Sequence, residues 1–347
     1  MELKLNKFLP LAGLALLCSM SSAWAGSDDD YQKPAGQMQQ MDSNGNYKEI
    51  TPNAGPRVTD GVDVDVTADF IYWYTEQGGM SYAATGFGTT AGSVQNASGQ
   101  WAPGFKVGLG LALGHDGWDL AAEYTWLQAS NSSSVTDDAS LMPMWNIRNL
   151  HPDIADDMTA ASCNTNFHFN VIDLELGRNF YVSQHLTLRP HTGLKGSWQK
   201  QNYNVTYTTT TLLEEMTNNQ KYWSVGLRSG MDTAWHFTKE WSIYGDISFS
   251  ALWANFKVTR TDENEVTDVD TLSTKNSTNA VQPVLEMGLG FRWDTWFSDN
   301  DYHFMIQAGW EAQNWFSMNQ QIHLPADAAQ GGDLGLQGLT VKVRFDF

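Results

Sequence analysis

The feature that most constrains the fold is an alternation of apolar and polar residues, which recurs from about residue 61 to the last residue. The stretch LTVKVRFDF at 339–347 puts its apolar side chains on one face of a strand and its polar ones on the other, because strand side chains alternate. No apolar run of 18 residues follows residue 25, which excludes transmembrane helices. The pattern predicts an all-β chain whose strands each have one apolar face.

The first 25 residues have the pattern of a secretory signal peptide. Lys4 and Lys7 precede an apolar run over residues 8–20, and Ala-Trp-Ala at 23–25 is a cleavage site of the A-x-A type. Lipoprotein processing at Cys18 is disfavoured because Leu17 is not small. We expect removal of residues 1–25 and an exported mature protein.

The chain is rich in aromatic residues, but its mean hydropathy is low and it lacks long apolar runs. The chain has 15 Trp, 12 Tyr and 16 Phe at a mean hydropathy of −0.38. This profile is typical of transmembrane β-barrels, whose strands present only every second residue to lipid. Removing Glu2, Lys4 and Lys7 with the signal changes the net charge from −19 to −19 − 1 = −20. We therefore expect no electrostatic targeting to nucleic acid or to an anionic membrane surface.

The sequence divides into a signal peptide at 1–25, a polar periplasmic segment at 26–61 and an outer-membrane β-barrel at 62–347. The connections alternate between a few residues and many, which is the outer-membrane layout of short periplasmic turns and long extracellular loops. We expect an antiparallel barrel of 10 to 12 strands, with twelve if residues 76–101 add a hairpin. Long loops are expected at 76–101, 129–165, 203–219, 259–279 and 318–333.

One strand changes phase. Phe167, Phe169 and Val171 share one face, whereas Ile172, Leu174 and Leu176 share the other. A residue inserted into a strand shifts its faces in this way, so we expect a β-bulge near Val171.

The face opposite the lipid is where a function should reside. Acids outnumber bases there about two to one, which predicts a negative lumen and a preference for cations, because charge rings set selectivity in pores. Alternatively, the charges pair across a narrow barrel and leave no path. The predicted pore-lining residues are Asp63, Asp65, Asp69, Asp119, Glu123, Asp173, Glu175, Arg189, His191, Lys195, Arg228, Asp232, Asp246, Glu286, Arg292, Glu311, Lys342 and Arg344.

Two blocks of sequence resemble a known family. ADFIYWYTEQGGMSYA at 68–83 and FNVIDLELGRNFYVSQHLTLRPHTGLKGSW at 169–198 resemble the Legionella major outer membrane protein family and its relatives in chlamydia-like bacteria. The resemblance implies an outer-membrane porin, in a family whose members form disulfide-linked oligomers. Cys163, alone once Cys18 is removed, is expected to be an unpaired thiol in a loop, and the alternative is a bridge between two subunits of a homo-oligomer.

The end of the chain is the candidate assembly signal. The last strand must pair with the first, because an open edge in lipid leaves backbone groups unsatisfied. Phe345 and Phe347 also resemble the C-terminal signal that the barrel assembly machinery of bacteria reads, which makes that machinery and outer-membrane lipid the expected partners.

Motifs for chemistry do not stand out. GLGLALG at 108–114 lies within a strand, and TDENEVTDVD at 261–270 lacks the Gly and the final Glu of a calcium loop, so we interpret it as a solvated loop. No metal-ligand spacing and no G-x-S-x-G elbow occur. We expect no enzyme, cofactor or metal, although a hydrolase site assembled across loops stays open. The sequence favours a porin for small hydrophilic solutes, with a non-conducting surface barrel, an adhesin or envelope-structural protein, as the alternative.

Replacing Phe347 by Ala should lower the amount of assembled, heat-modifiable barrel in the outer membrane and leave export intact. The reason is that the terminal aromatic is the expected recognition element. Fractionation of cells followed by gel electrophoresis with and without heating measures this, and normal assembly of the variant would contradict the assignment.

Overall fold

The computed structural model describes residues 54–56, 58, 63–86, 91–97, 99–113, 117–136, 141–145, 158–210, 213–264, 269–298, 300–322 and 331–347. The expected signal peptide and almost all of the polar segment lie outside these residues. In the described part the secondary structure is all β, and no helix is long and apolar enough to cross a membrane. The strands are β1 (Val64–Gln77), β2 (Ser81–Ala84), β3 (Val94–Asn96), β4 (Gln100–Ala112), β5 (Trp118–Thr136), β6 (Met142–Pro143), β7 (Met158–Arg178), β8 (Phe180–Tyr181), β9 (Leu186–Thr209), β10 (Leu213–His236), β11 (Trp241–Asn264), β12 (Val269–Phe297), β13 (Tyr302–Asn319) and β14 (Gly332–Asp346).

Ten long antiparallel strands form a closed barrel. Their order around the wall is β1, β4, β5, β7, β9, β10, β11, β12, β13 and β14, and β14 pairs back onto β1. The closing register runs from Asp65 opposite Asp346 to Gln77 opposite Leu334. Closure satisfies the backbone groups of both terminal strands, as a lipid environment requires.

The barrel has ten strands and not twelve, because the hairpin in residues 76–101 does not join the wall. Its two strands, β2 and β3, form a small separate sheet with β6. One end of the barrel, which we call the short-turn end, is where β4, β7, β10 and β12 end and β5, β9, β11 and β13 begin after short connections. The opposite end is called the far end.

The wall is much taller than a bilayer. Strands β9, β10 and β11 have 24 residues each and β12 has 29, whereas about 9–11 residues suffice to cross. The segments 203–219 and 259–279, expected as long loops, are for the most part the far ends of these strands. That expectation was wrong, because the apolar face changes sides where the wall leaves the lipid.

The change of sides is clearest in β9. Leu194 and Trp198 point outward and are about half exposed, and the inward residues between them are polar. Beyond Trp198 the pattern reverses, because Tyr203 and Val205 are fully buried inside and the outward residues are Lys, Asn and Thr. The wall is thus apolar outside at the height of the lipid, and apolar inside beyond it.

The same reversal replaces the bulge expected near Val171. The register of β7 with β5 and β9 continues unbroken through this position. Phe167, Phe169 and Val171 are buried inside the barrel, while Ile172 and Leu174 are outward and exposed. The phase change in the sequence therefore marks the place where the apolar residues pass from the inner face of the strand to its outer face. No residue is inserted there.

Aromatic side chains border the lipid-facing surface at both ends. Trp198 and Trp223 lie directly opposite each other on the side of the far end, and Trp253 on the next strand lies opposite Val225, two residues from Trp223. At the short-turn end, Phe345 lies 4.9 Å from Phe347 and 5.9 Å from both Phe297 and Tyr302, between ring centroids. Trp73 does not belong to these belts, because it points inward and is 0% exposed.

Replacing Phe169 by Ala should lower the free energy of unfolding by about 3–5 kcal/mol, the cost of emptying a packed aromatic site. Phe169 is fully buried, and its ring lies 5.5 Å from that of Trp315. The outward-facing Asn202 supplies the control, because Asn202→Ala should change stability by less than about 0.5 kcal/mol. Urea unfolding in lipid vesicles measures both, and equal effects would contradict an interior core.

Candidate functional site: the filled lumen

The predicted pore-lining residues lie on the inner face of the barrel, except that Asp63 precedes β1, in a left-handed conformation with φ of 55°. The structure brings most of them together in ion pairs that fall into four groups along the barrel. Among the others, Arg292 donates to Gln307 and lies over the Tyr244 ring. Asp246 lies beside Gly288, where a side chain would collide with its carboxylate.

The first group crosses the lumen between β9 and β12. Lys195 Nζ lies 2.9 Å from Asp173 and 3.1 Å from Glu286, and the Lys195 side chain is 1% exposed. Arg228 donates to Glu286 and, over 2.9 Å, to Glu175. The positions of β9 and β12 are three apart around the wall, so the contact of Lys195 with Glu286 spans the interior.

The second group lies on the other side of the lumen. Lys106 Nζ lies 2.7 Å from Glu311 and 3.5 Å from Glu123. Lys342 Nζ lies 3.0 Å from Glu123 and 3.3 Å from Asp69. Two of these pairs join strands three positions apart, Lys106–Glu311 between β4 and β13 and Lys342–Glu123 between β14 and β5, and the other two join neighbouring strands.

Two further groups lie closer to the short-turn end. Arg189 contacts three carboxylates, with distances of 2.6 Å to Asp119, 2.8 Å to Asp232 and 3.2 Å to Glu175. The His191 ring lies between the last two, 3.6 Å from each.

At the mouth, Arg344 contacts Asp65 over 3.2 Å and Asp346 over 2.5 Å. His303 in turn lies 2.6 Å from Asp346. Every basic group in these four clusters therefore has a carboxylate partner.

An apolar layer fills the lumen beyond the ion pairs, toward the far end. Its 17 residues come from nine of the ten barrel strands, and none is more than 9% exposed. Trp73 and Trp315 are fully buried in it, and Lys106 lies 5.2 Å above the Trp73 ring. Packing of this kind is that of a protein core.

Three features of the lumen do not follow from the predicted residue set. Lys106 was missed, although the alternation of β4 places it opposite Phe105 and Val107 and could have found it. Arg260 is fully buried and pairs with Asp262 over 2.7 Å, so part of the acidic stretch 261–270 is interior and not a solvated loop. The alternation of apolar and polar residues did not reveal the apolar layer, because we assumed that the inward residues are polar along the whole strand.

The sequence model of one protein family, described as the Legionella pneumophila major outer membrane protein precursor, matches residues 56–347. The chain belongs to this family. The resemblance of the two sequence blocks is confirmed, and the protein is an outer-membrane β-barrel of the bacterial envelope. Its far end accordingly faces outward, because short turns are periplasmic in such barrels.

A search of curated proteins found no match. Among solved structures, the chain is similar to the outer membrane protease OmpT from Escherichia coli, with 9% identity, 82% of this chain and 96% of that chain covered and a TM-score of 0.41. It is also similar to a major outer membrane protein from Thermus thermophilus, with 11% identity, coverage of 82% and 99% and a TM-score of 0.28. We transfer no function from these structures.

The candidate for a disulfide, Cys163, lies inside the far part of the wall and is 1% exposed. It packs among buried aromatic residues that include Tyr203 and Tyr207. A bridge to a second subunit would require the thiol to leave this interior, and the bridge stays a prediction. In the described part of the chain, no group of three or more His, Cys, Asp or Glu could hold a metal ion.

Replacing Glu286 by Gln should lower the free energy of unfolding by about 3–5 kcal/mol, because it leaves Lys195 and Arg228 short of negative charge in a buried site. The control is Glu263→Gln, at an exposed position directly opposite Glu215, which should be neutral within about 0.5 kcal/mol. Urea unfolding in lipid vesicles compares the two variants. A Glu286 variant as stable as the control would show that the pairs are not formed.

Proposed function

We propose that this protein is a closed outer-membrane barrel, without a permanent pore, that serves the envelope structurally and presents its tall outer wall at the cell surface. The observation that supports this best is the apolar layer, which crosses the lumen with fully buried Trp, Phe and Leu side chains. Ions and hydrated solutes do not pass through a layer packed to the density of a core.

The ion pairs support the same proposal. Charges taken out of water are tolerated when they are paired and hydrogen-bonded, and the central groups satisfy this condition by reaching across the lumen. Most of the acids that would make a negative channel thus have a basic partner on a facing or a neighbouring strand. The proposal includes no chemical step.

A cation-preferring porin is the second candidate. The partial exposure of lumen acids nearer the periplasm favours it, with side-chain exposures of 35% for Asp232 and 25% for Glu123. Water reaches this half of the barrel, and its acids would attract cations. Conduction would then require the apolar layer to rearrange.

Single-channel recording in a planar bilayer separates the two candidates. In a KCl gradient, the correctly folded protein should give no conductance steps. A variant with Trp73, Phe169 and Trp315 replaced by Ala should give steps once the layer is emptied, and alanines at the outward-facing Asn202, Thr206 and Asn219 should leave the barrel silent. Steps from the unmodified protein, with a reversal potential favouring K⁺, would replace our proposal by the porin.

A deletion strain tests the envelope role. Without the protein, uptake of small hydrophilic solutes should be unchanged, while sensitivity to detergents should rise. Slower uptake with an intact barrier would contradict the proposal.

A further inference from the structure

Four lysines form a row on the outside of the barrel. Lys200, Lys221 and Lys257 belong to neighbouring strands and are direct cross-strand partners. Lys275 continues the row on β12, opposite Thr259, the next outward residue after Lys257. All four side chains are exposed.

The row lies directly above the lipid-facing surface. Lys200 and Lys221 are each two residues beyond Trp198 and Trp223, which are 46% and 48% exposed. Two residues correspond to about 7 Å along a strand. Above the row the outward residues are polar, so the lysines stand where the lipid-facing band ends on the outer side of the membrane.

Within the described part of the chain, no acid balances this charge. None of the four lysines forms an ion pair with a described residue. The outward acids Glu215 and Glu263 lie six residues further along β10 and β11. The other described lysines are Lys106, Lys195 and Lys342, which are paired in the lumen, and Lys239, which lies in a turn at the short-turn end.

Like charges directly opposite each other on a sheet are destabilising. A chain with a net charge of −19 nevertheless places four lysines without a described ion-pair partner next to one another on adjacent strands. The negative charge of the whole chain argues against attraction to an anionic surface, but this row is a local exception. An anion supplied from outside the chain would relieve this repulsion.

We propose that Lys200, Lys221, Lys257 and Lys275 bind the phosphate groups of an outer-leaflet lipid whose acyl chains lie on the apolar band below them. Lysine binds phosphate as a point charge, and basic side chains at a bilayer surface attract anionic head groups. The row of lysines adjoins the apolar lipid-facing band and the Trp side chains at its border. This arrangement fits an amphipathic lipid better than a soluble anion. Neighbouring Asn255 and Thr259 supply hydrogen-bonding groups for a sugar head group.

Binding of diphosphorylated lipid A to the folded full-length protein in neutral detergent tests the proposal. Each Lys→Gln replacement in the row should weaken binding about fivefold. Replacing all four by Gln should weaken it at least about a hundredfold, whereas Arg at the four positions keeps the charge and should retain binding. The matched control is Lys239→Gln, at an exposed lysine outside the row, which should bind like the unmodified protein.

Three results would overturn the proposal. The first is equal binding by the unmodified protein and the four-Gln variant, when both are heat-modifiable and therefore folded. The second is equal affinity for lipid A that lacks its phosphates. The third is full displacement of the lipid by millimolar inorganic phosphate, which would mean that the row takes a free anion and not a lipid.

Discussion

The structure of this protein depends on how a narrow β-barrel accommodates the polar and charged side chains that point into it. In lipid the outer face must be apolar, so alternation sends the polar residues inward. Ten strands leave little room there, and buried charges are tolerated only when paired. The lumen therefore contains ion pairs that reach across the barrel, such as Lys106 with Glu311 and Lys195 with Glu286.

The same constraint explains the wall beyond the bilayer. Where water replaces lipid outside, the outward face becomes polar and the inner face becomes apolar, as Tyr203 and Val205 show in β9. The strands continue through this change because the far part of the barrel has its own core. Its lower boundary is the apolar layer, which closes the lumen just above the ion pairs.

Much of this was predictable from the sequence. Alternation over 62–74 correctly assigned Asp65, Asp69 and Ile71 to the inner face, and it identified the ten strands. The prediction from alternation failed beyond the bilayer, because it assumed that apolar residues face lipid at every height. The phase change at Val171 was therefore interpreted as a bulge and the far ends of β9 and β10 as a loop. Counting inward acids also could not reveal that they are paired across the lumen, since pairing depends on which strands face each other.

Local and overall charge are different quantities in this protein. The chain is strongly acidic, yet four of its lysines, without an ion-pair partner among the described residues, stand in one row at the membrane boundary. A net charge averages over the surface and conceals such an arrangement. Register reveals it, because Lys200, Lys221 and Lys257 are far apart in sequence and adjacent in the sheet.

The central claim is that the lumen is closed beyond its ion pairs, and Cys163 tests it directly because its thiol faces that interior. In a Cys18→Ser background this is the one remaining cysteine of the chain. With the folded barrel in lipid vesicles, a small water-soluble methanethiosulfonate should leave Cys163 unmodified for as long as the barrel stays folded and should modify it fully in denaturant. Rapid modification of the folded protein would mean that water fills the lumen, and the account would be wrong.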